Sequence, residues 1–433
     1  MKQFEGANRA HRIRLLPTAA QERAFYAFAR VARWTWNIAL KSHNSQVEKW
    51  QAEGKTGAAP TIASLIPVFN VGRKIFAPWT SDQGHRDCWA EPFSDLQKAF
   101  AAKRAGIAKH PRPKKFSAPP SFYVANDRLS FKDVQVRLPK VGWVKSAEKL
   151  RLEGSIRGAR VTRDGAGRWF LSVQVAGVAI EATRGTEVLG IDVGITNTIT
   201  LSTGETFHAP RMSKRERARM RRLQRSVSRK YEVRKAKRAA VRAAKGDLSN
   251  VKTSRNEQRA RRKVGRLHAR IADRRNDWQH KTTSAIVRRV AAIGLETLSI
   301  RGMMRSKRKG QARALSDIGL GEIHRQLRYK ANDTKVFVQN FARSYPSSQL
   351  CSACDRRQKM PLGNRIYRCP CGLVIDRDVN ASLNLVPSAW RTTRGTGPSQ
   401  DQNAEEQAVT SLLVAQSVSA ESAKRPRCSL VRT

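Results

Sequence analysis

Three acidic residues and one set of cysteines are spaced so that they could do chemistry. Asp192 ends the apolar run Val188-Leu-Gly-Ile-Asp-Val-Gly194, and Glu296 lies in a second one, Ile293-Gly-Leu-Glu-Thr-Leu-Ser-Ile300. A lone carboxylate in a buried strand is costly unless it is paired or binds a cation, so both are candidates for function. Asp378 stands in Asp376-Arg-Asp-Val-Asn-Ala-Ser-Leu-Asn-Leu385, which reads as a turn entering a short helix. Taken singly, Asp378 reads as no more than a cap or turn carboxylate, whereas Glu296, flanked by Leu295 and Leu298, is harder to read that way. Together, on two strands and a helix start, they could hold two Mg²⁺ ions roughly 4 Å apart, the arrangement that hydrolyses phosphodiesters.

The cysteines come in two pairs, Cys351-Ser-Ala-Cys354 and, fifteen residues later, Cys369-Pro-Cys371. Thiolates paired by tight turns are what structural zinc requires. Cys88 and Cys428 stand alone, so the usage fits metal binding in a reducing compartment better than a disulfide framework. The spacing predicts less than one equivalent of zinc, because a single residue between Cys369 and Cys371 strains a metal knuckle. The alternative is a ribbon held by hairpin packing, with Asp378 tilted as a result.

Several elements must carry these groups. Residues 11–16 read as a strand ended by Pro17, and Thr18 as the cap of a helix with Phe25, Phe28, Val31, Trp34 and Ile38 on one face. Core packing is the expected use of Trp34 and Trp36. Helices joined by loops follow to about residue 107. From Ser121 to about Ala182 the period changes to two, with a turn at Asp164-Gly165, and predicts a small β-barrel that the strand at 11–16 completes. Thr198–Leu201 begins a hairpin, and Ile318–Ala331 reads as a helix with Ile323 and Leu327 inward. Arg301–Ala314 reads as a basic, mobile loop, and the composition beyond Trp390 predicts a disordered tail.

Charge narrows the partners. Lys and Arg number 84 against 34 Asp and Glu, a formal charge of +50. That excess calls for a polyanion, and nucleic acid is the expected one. A membrane is the weaker candidate, since no run of about 18 apolar residues exists to span one. The N-terminus lacks a signal-type apolar core, so an intracellular protein is expected. Residues 211–290 are the most basic part: 211–235 hold twelve Lys or Arg and two Glu. Apolar residues still recur on one face (Met220, Leu223, Val227, Tyr231, Val264, Leu267, Ile271, Trp278), which predicts long packed helices. Arg221, Arg222, Arg225 and Arg229 are the arginines expected to meet phosphates.

The order of these sites resembles a RuvC-like nuclease domain, and more closely the TnpB family of insertion-sequence proteins, related to compact type V CRISPR effectors. The residues that carry the resemblance are GIDVGITN at 190–197, GLETLSIRGM at 294–303, YPSSQLCSAC at 345–354 and DRDVNASLNL at 376–385. Weaker matches are RLLPTAAQE and ARWTWN near the N-terminus, RLPKVGWVK at 137–145 and LHARIADRRNDWQHK at 267–281, so the likeness runs from about residue 11 to 390.

The resemblance implies an α+β multidomain fold. A β-barrel wedge domain (residues 1–18 and 120–185) is interrupted by a helical recognition domain (19–119). A RuvC-like α/β nuclease domain of RNase H type follows (186–390), with basic helices at 211–290 and a zinc-ribbon-like insertion at 346–375, then a tail at 391–433. It also implies RNA-guided cleavage of double-stranded DNA beside a short target-adjacent motif, with Asp192, Glu296 and Asp378 as Mg²⁺-binding catalytic acids and Cys351, Cys354, Cys369 and Cys371 as zinc ligands. Asp376 is the neighbouring alternative to Asp378. The partners implied are a guide RNA derived from the element and its target DNA, in the nucleoid-associated cytoplasm of a prokaryote. The competing readings are a compact type V CRISPR effector, a non-cleaving RNA-guided DNA-binding repressor, and a transposase that works without RNA.

Overall fold

The computed structural model describes residues 7–178, 185–248, 251–305, 310–361 and 363–390. The expected tail and the middle of the loop after Met304 lie outside the described residues. Two compact units make up the chain, Met1–Ala179 with Arg222–Ala269, and Ile180–Arg221 with Arg270–Thr433.

In the first unit, β1 (Ala7–Leu16) stops at Pro17 and α1 (Ala19–Ala52) begins behind a full capping box. The Thr18 hydroxyl accepts from the Gln21 amide, and the Gln21 side chain accepts from the Thr18 amide. α2 (Leu65–Phe76), α3 (Trp79–Gln83) and α4 (Arg86–Arg104) complete the helical part. Trp36 is buried with Leu40, Phe93 and Leu96, and Trp34 lies against Phe69 and Trp79, so both tryptophans pack. Ile38 departs from the expected stripe and is exposed, Leu40 being buried in its stead.

The period-two region supplies β2 (Ser121–Ala125), β3 (Ser130–Lys132), β4 (Gln135–Leu138), β5 (Gly142–Ser146), β6 (Ser155–Arg163) and β7 (Trp169–Val178). They form one antiparallel sheet in the order β2-β6-β7-β1-β5-β4-β3, which β1 joins as expected, at its middle rather than as a closing strand. The expected barrel is not closed: no ladder joins the outer strands β2 and β3. Alternation specifies strands and their buried face, whereas closure needs matched length and stagger at the two ends. β3 has three residues, and β2 instead lies against α1 and α4.

The basic region forms α5 (Lys214–Ala243) and α6 (Arg255–Arg289), as the apolar stripe predicts. Met220 and Leu267 are buried, while Tyr231 is exposed. Glu257, 1 % exposed, receives Arg234 at 2.9 Å and Arg261 at 2.7 Å, tying the two helices together.

The second unit is built on a five-stranded mixed sheet of β8 (Glu187–Asp192), β9 (Ile199–Leu201), β10 (Thr206–Phe207), β11 (Val290–Glu296) and β12 (Phe337–Phe341). Its order is β10-β9-β8-β11-β12, with β8, β11 and β12 parallel and β9 antiparallel to both its neighbours. Where a mobile loop was expected, α7 (Ile300–Met304) and α8 (Gln311–Ile318) are helical, with Leu315 and Ile318 buried. α9 (Leu320–Asp333) follows, with Ile323 and Leu327 inward. The hairpin β13 (Ile366–Arg368) and β14 (Val374–Asp376) leads into α10 (Arg377–Asn384).

The two faces of this sheet are covered differently. Leu189, Ile191, Ile293 and Leu295 point into a core with Ile286, Val287, Ile323 and Leu327. On the other face, Gly190 and Gly294 are ladder partners. A methyl group on Gly190 would overlap the carbonyl oxygen of Ser382, and one on Gly294 would overlap that of Leu385. Two missing side chains, side by side, let the backbone at the end of α10 rest directly on the sheet. Gly190→Ala or Gly294→Ala should therefore destabilise the protein by about 3 kcal/mol, because backbone must yield. Gly363, with open space around it, should tolerate alanine. Urea unfolding followed by circular dichroism compares the three.

Candidate active site and metal centre

Side chains alternate along a strand, so Gly190 and Asp192 share one face, as do Gly294 and Glu296. Each acid is also the last residue of its strand, and the Leu295–Ile191 pairing places the two ends beside each other. Both carboxylates thus emerge at the carboxyl end of neighbouring parallel strands, where sheets of this kind open for ligands. α10 lies over the glycines on that face, and its first turn supplies Asp378. The sheet and α10 therefore gather Asp192, Glu296 and Asp378 in one place.

Electrostatics register their proximity. Burial, then repulsion from Asp378 and Glu296, pushes the Asp192 carboxyl up to about 7. Burial also raises that of Glu296. Like charges held this close need either protons or a cation between them.

The neighbouring aspartates have different duties. Asp376 is the N-cap of α10, and its carboxylate accepts from the Asp378 amide at 2.8 Å and the Val379 amide at 3.1 Å. Asp378 instead accepts from Asn197 Nδ2 at 3.1 Å and lies 3.5 Å from Arg365 Nη1. Arg365 also donates to the Thr196 hydroxyl at 2.6 Å. Neither role was legible beforehand. Asn197 belongs to the GITN turn, which carries no charge to mark it, and Arg365 is one basic residue among many in the loop before β13.

All four cysteine sulfurs converge. Cys351 and Cys369 are buried, Cys354 and Cys371 exposed, and their sulfurs lie within 4.8 Å of one another. The Cys351–Cys371 and Cys354–Cys369 separations are both 3.6 Å. Tetrahedral zinc with bonds of about 2.3 Å spaces its sulfurs about 3.8 Å apart, so the set fits that ion. The short Cys369–Cys371 spacing does not hold the sulfurs apart as expected. A tight turn absorbs it, with the Gly372 amide donating to Cys369 O at 3.0 Å and Gly372 in the left-handed region at φ +93°.

α10 joins this ribbon to the acids. Asn380 accepts from the Ser352 amide at 2.9 Å and donates to Leu350 O at 2.7 Å. Asn384, one turn on, donates to Ser347 O and Leu350 O. Both asparagines are fully buried.

Arg221, Arg222, Arg225 and Arg229 are exposed on α5, at a spacing that keeps Arg221, Arg225 and Arg229 on one face. Among the described residues no helix is long and apolar enough to cross a membrane.

The raised Asp192 carboxyl gives metal-free stability a definite sign. Between about pH 4 and 7 the folded state keeps a proton that the unfolded chain, titrating near 3.8, has released. Stability should fall as pH rises through that window. Asp192→Asn should flatten the slope, which urea unfolding at pH 5 and pH 7 measures.

Comparison with known proteins places this geometry among relatives. The family model OrfB_IS605, described as "Probable transposase", matches residues 171–307. A "Cas12f1-like, TNB domain" model matches 321–385, across α9, the cysteines and α10. A "Helix-turn-helix domain" model matches 7–55, which fold here as β1 and the single helix α1. A protein of Streptomyces pristinaespiralis named "Putative RNA-guided DNA endonuclease" is 37 % identical over 301 residues, covering 67 % of this chain and 68 % of its own. InsQ of Escherichia coli K12, which carries the same description, is 27 % identical over 394 residues, or 87 % and 91 % of the two chains. A solved structure of CasPhi-2 (Cas12j) bound to crRNA aligns at TM-score 0.35 and 10 % identity, covering 92 % of this chain and 100 % of that one.

Proposed function

Because the chain belongs to the TnpB family, the OrfB proteins of IS605-type elements, we propose that it is an RNA-guided DNA endonuclease whose active site is Asp192, Glu296 and Asp378. The observation that carries this reading is the meeting of three carboxylates at one strand end, from positions far apart in the chain. The mixed sheet with acids at the ends of β8 and β11 supports a RuvC-like assignment for residues 186–390. The seven-stranded sheet supports a wedge role for 1–18 and 120–185, around recognition helices at 19–119.

Two Mg²⁺ ions held by the three carboxylates would supply water activation and stabilise the leaving 3′-oxygen. The chain's own residues do the rest. Asn197 and Arg365 both engage Asp378 Oδ2, fixing the direction of that carboxylate. Arg365 is half-exposed and brings a positive charge to the acids, where a scissile phosphate would need one. Exposed Arg221, Arg222, Arg225 and Arg229 suit the backbone of a guide RNA–DNA heteroduplex, in which base pairing reads the sequence. Cleavage beside a short target-adjacent motif and a guide derived from the element belong to the same reading.

Asp192→Ala, Glu296→Ala and Asp378→Ala should each abolish cleavage of a guide-matched duplex while leaving guide-dependent binding nearly intact. Asp376→Asn, which keeps a good cap, should still cut. Gel-shift and cleavage assays on the same complexes separate the two effects, and an active Asp378→Ala enzyme would sink the assignment.

The cysteine geometry also sets an expectation for zinc. The purified protein should carry one equivalent by elemental analysis. Cys351→Ser should lose it and, through the Asn380 and Asn384 contacts, slow cleavage with all three acids present.

A further inference from the structure

The core face of the five-stranded sheet leaves one feature that the acids do not use. Beyond Glu296 the chain turns through Thr297 and Leu298, which form one wall of a cavity of about 550 Å³. α9 forms the other wall with His324, Arg328, Tyr329 and Asn332. Its Thr297 follows directly on Glu296, the acid that ends β11.

His324 is its unusual member. It is 6 % exposed, and neither ring nitrogen has a hydrogen-bond partner. Buried polar atoms are rarely left so, because each unmade bond costs free energy. Burial and the nearby charge of Arg328 push the ring down to about 4, so it is neutral near pH 7 and offers one donor and one acceptor. Leu298 and Ile300 give the cavity apolar surface beside these polar groups, and a cavity of this size suits a small planar ligand. Tyr329 supplies an aromatic face, with the Arg325 guanidinium 5.1 Å from its ring centroid. Asn332 and Arg328 are exposed at the rim, an amide and a cation.

We infer that this cavity seats one unpaired base of the DNA strand being cut, close to the scissile bond. The base lies against Tyr329 and beside the His324 ring, its edge meets Asn332, and Arg328 meets the adjoining phosphate. The inference rests on the nuclease reading for its choice of DNA.

Histidine NMR tests it on the full-length chain. The protein has eight histidines, so [¹³C]histidine labelling gives a small set of ring signals. The His324 signal is identified by its loss in His324→Leu, or in His324→Gln if the leucine variant does not fold. The labelled protein carries Asp192→Ala, so occupancy is read whether or not the acids cut, and cleavage by the unaltered enzyme is measured separately. Single-stranded hexathymidylate should shift the His324 signal. An abasic hexamer of the same backbone and inorganic phosphate should leave it in place. A His324 signal unmoved while fluorescence anisotropy shows hexathymidylate bound would overturn the inference. So would an equal shift with the abasic strand or with phosphate, which would mark an anion site only.

Discussion

The arrangement of the second unit depends on one close approach: the end of α10 rests on the backbone of two adjacent strands. Gly190 and Gly294 make this possible because neither presents a side chain to the helix, and the ladder sets them side by side. The acids follow two residues later on the same face. The interval that brings helix and sheet together also aims the carboxylates at the helix's first turn. Any larger residue at either glycine would lift α10 and carry Asp378 away from Asp192 and Glu296.

The same seat explains why a metal ribbon lies so close to the acids. α10 is only eight residues long, too short to hold its place by helical propensity. It is fixed on two sides. The glycines receive its backbone, and Asn380 and Asn384 are bonded into the loop carrying Cys351. Asp376 caps its start. With those contacts made, Asp378 needs only Asn197 and Arg365 to set its direction. Burial in this seat, and then repulsion from the other two acids, is what raises the Asp192 carboxyl.

Much of this was legible in the residues. An acid in each of two apolar runs, paired cysteines, a proline and a capping threonine ahead of a helix, and a basic stretch with an apolar stripe are all short-range patterns. A short-range pattern determines which element forms and which face it buries. β8, α1, α5, α6 and α9 appeared where those patterns put them, while β11 begins earlier than the run at 293–300 and ends at Glu296.

Tertiary structure decided what depends on residues distant in sequence. Alternation between Ser121 and Val178 specified strands, but a barrel needs β2 and β3 to meet, and β2 met helices instead. Spacing alone made Cys369 and Cys371 look too close, yet a turn through Gly372 brings their sulfurs to the other pair. Asn197 and Arg365 gain their roles only when residues 181 and 13 positions away in the chain arrive beside them. By itself the sequence determined which groups could act and on which elements they stand. Their convergence was left to long-range packing, because nothing in a local pattern records which surfaces will come within a bond's length.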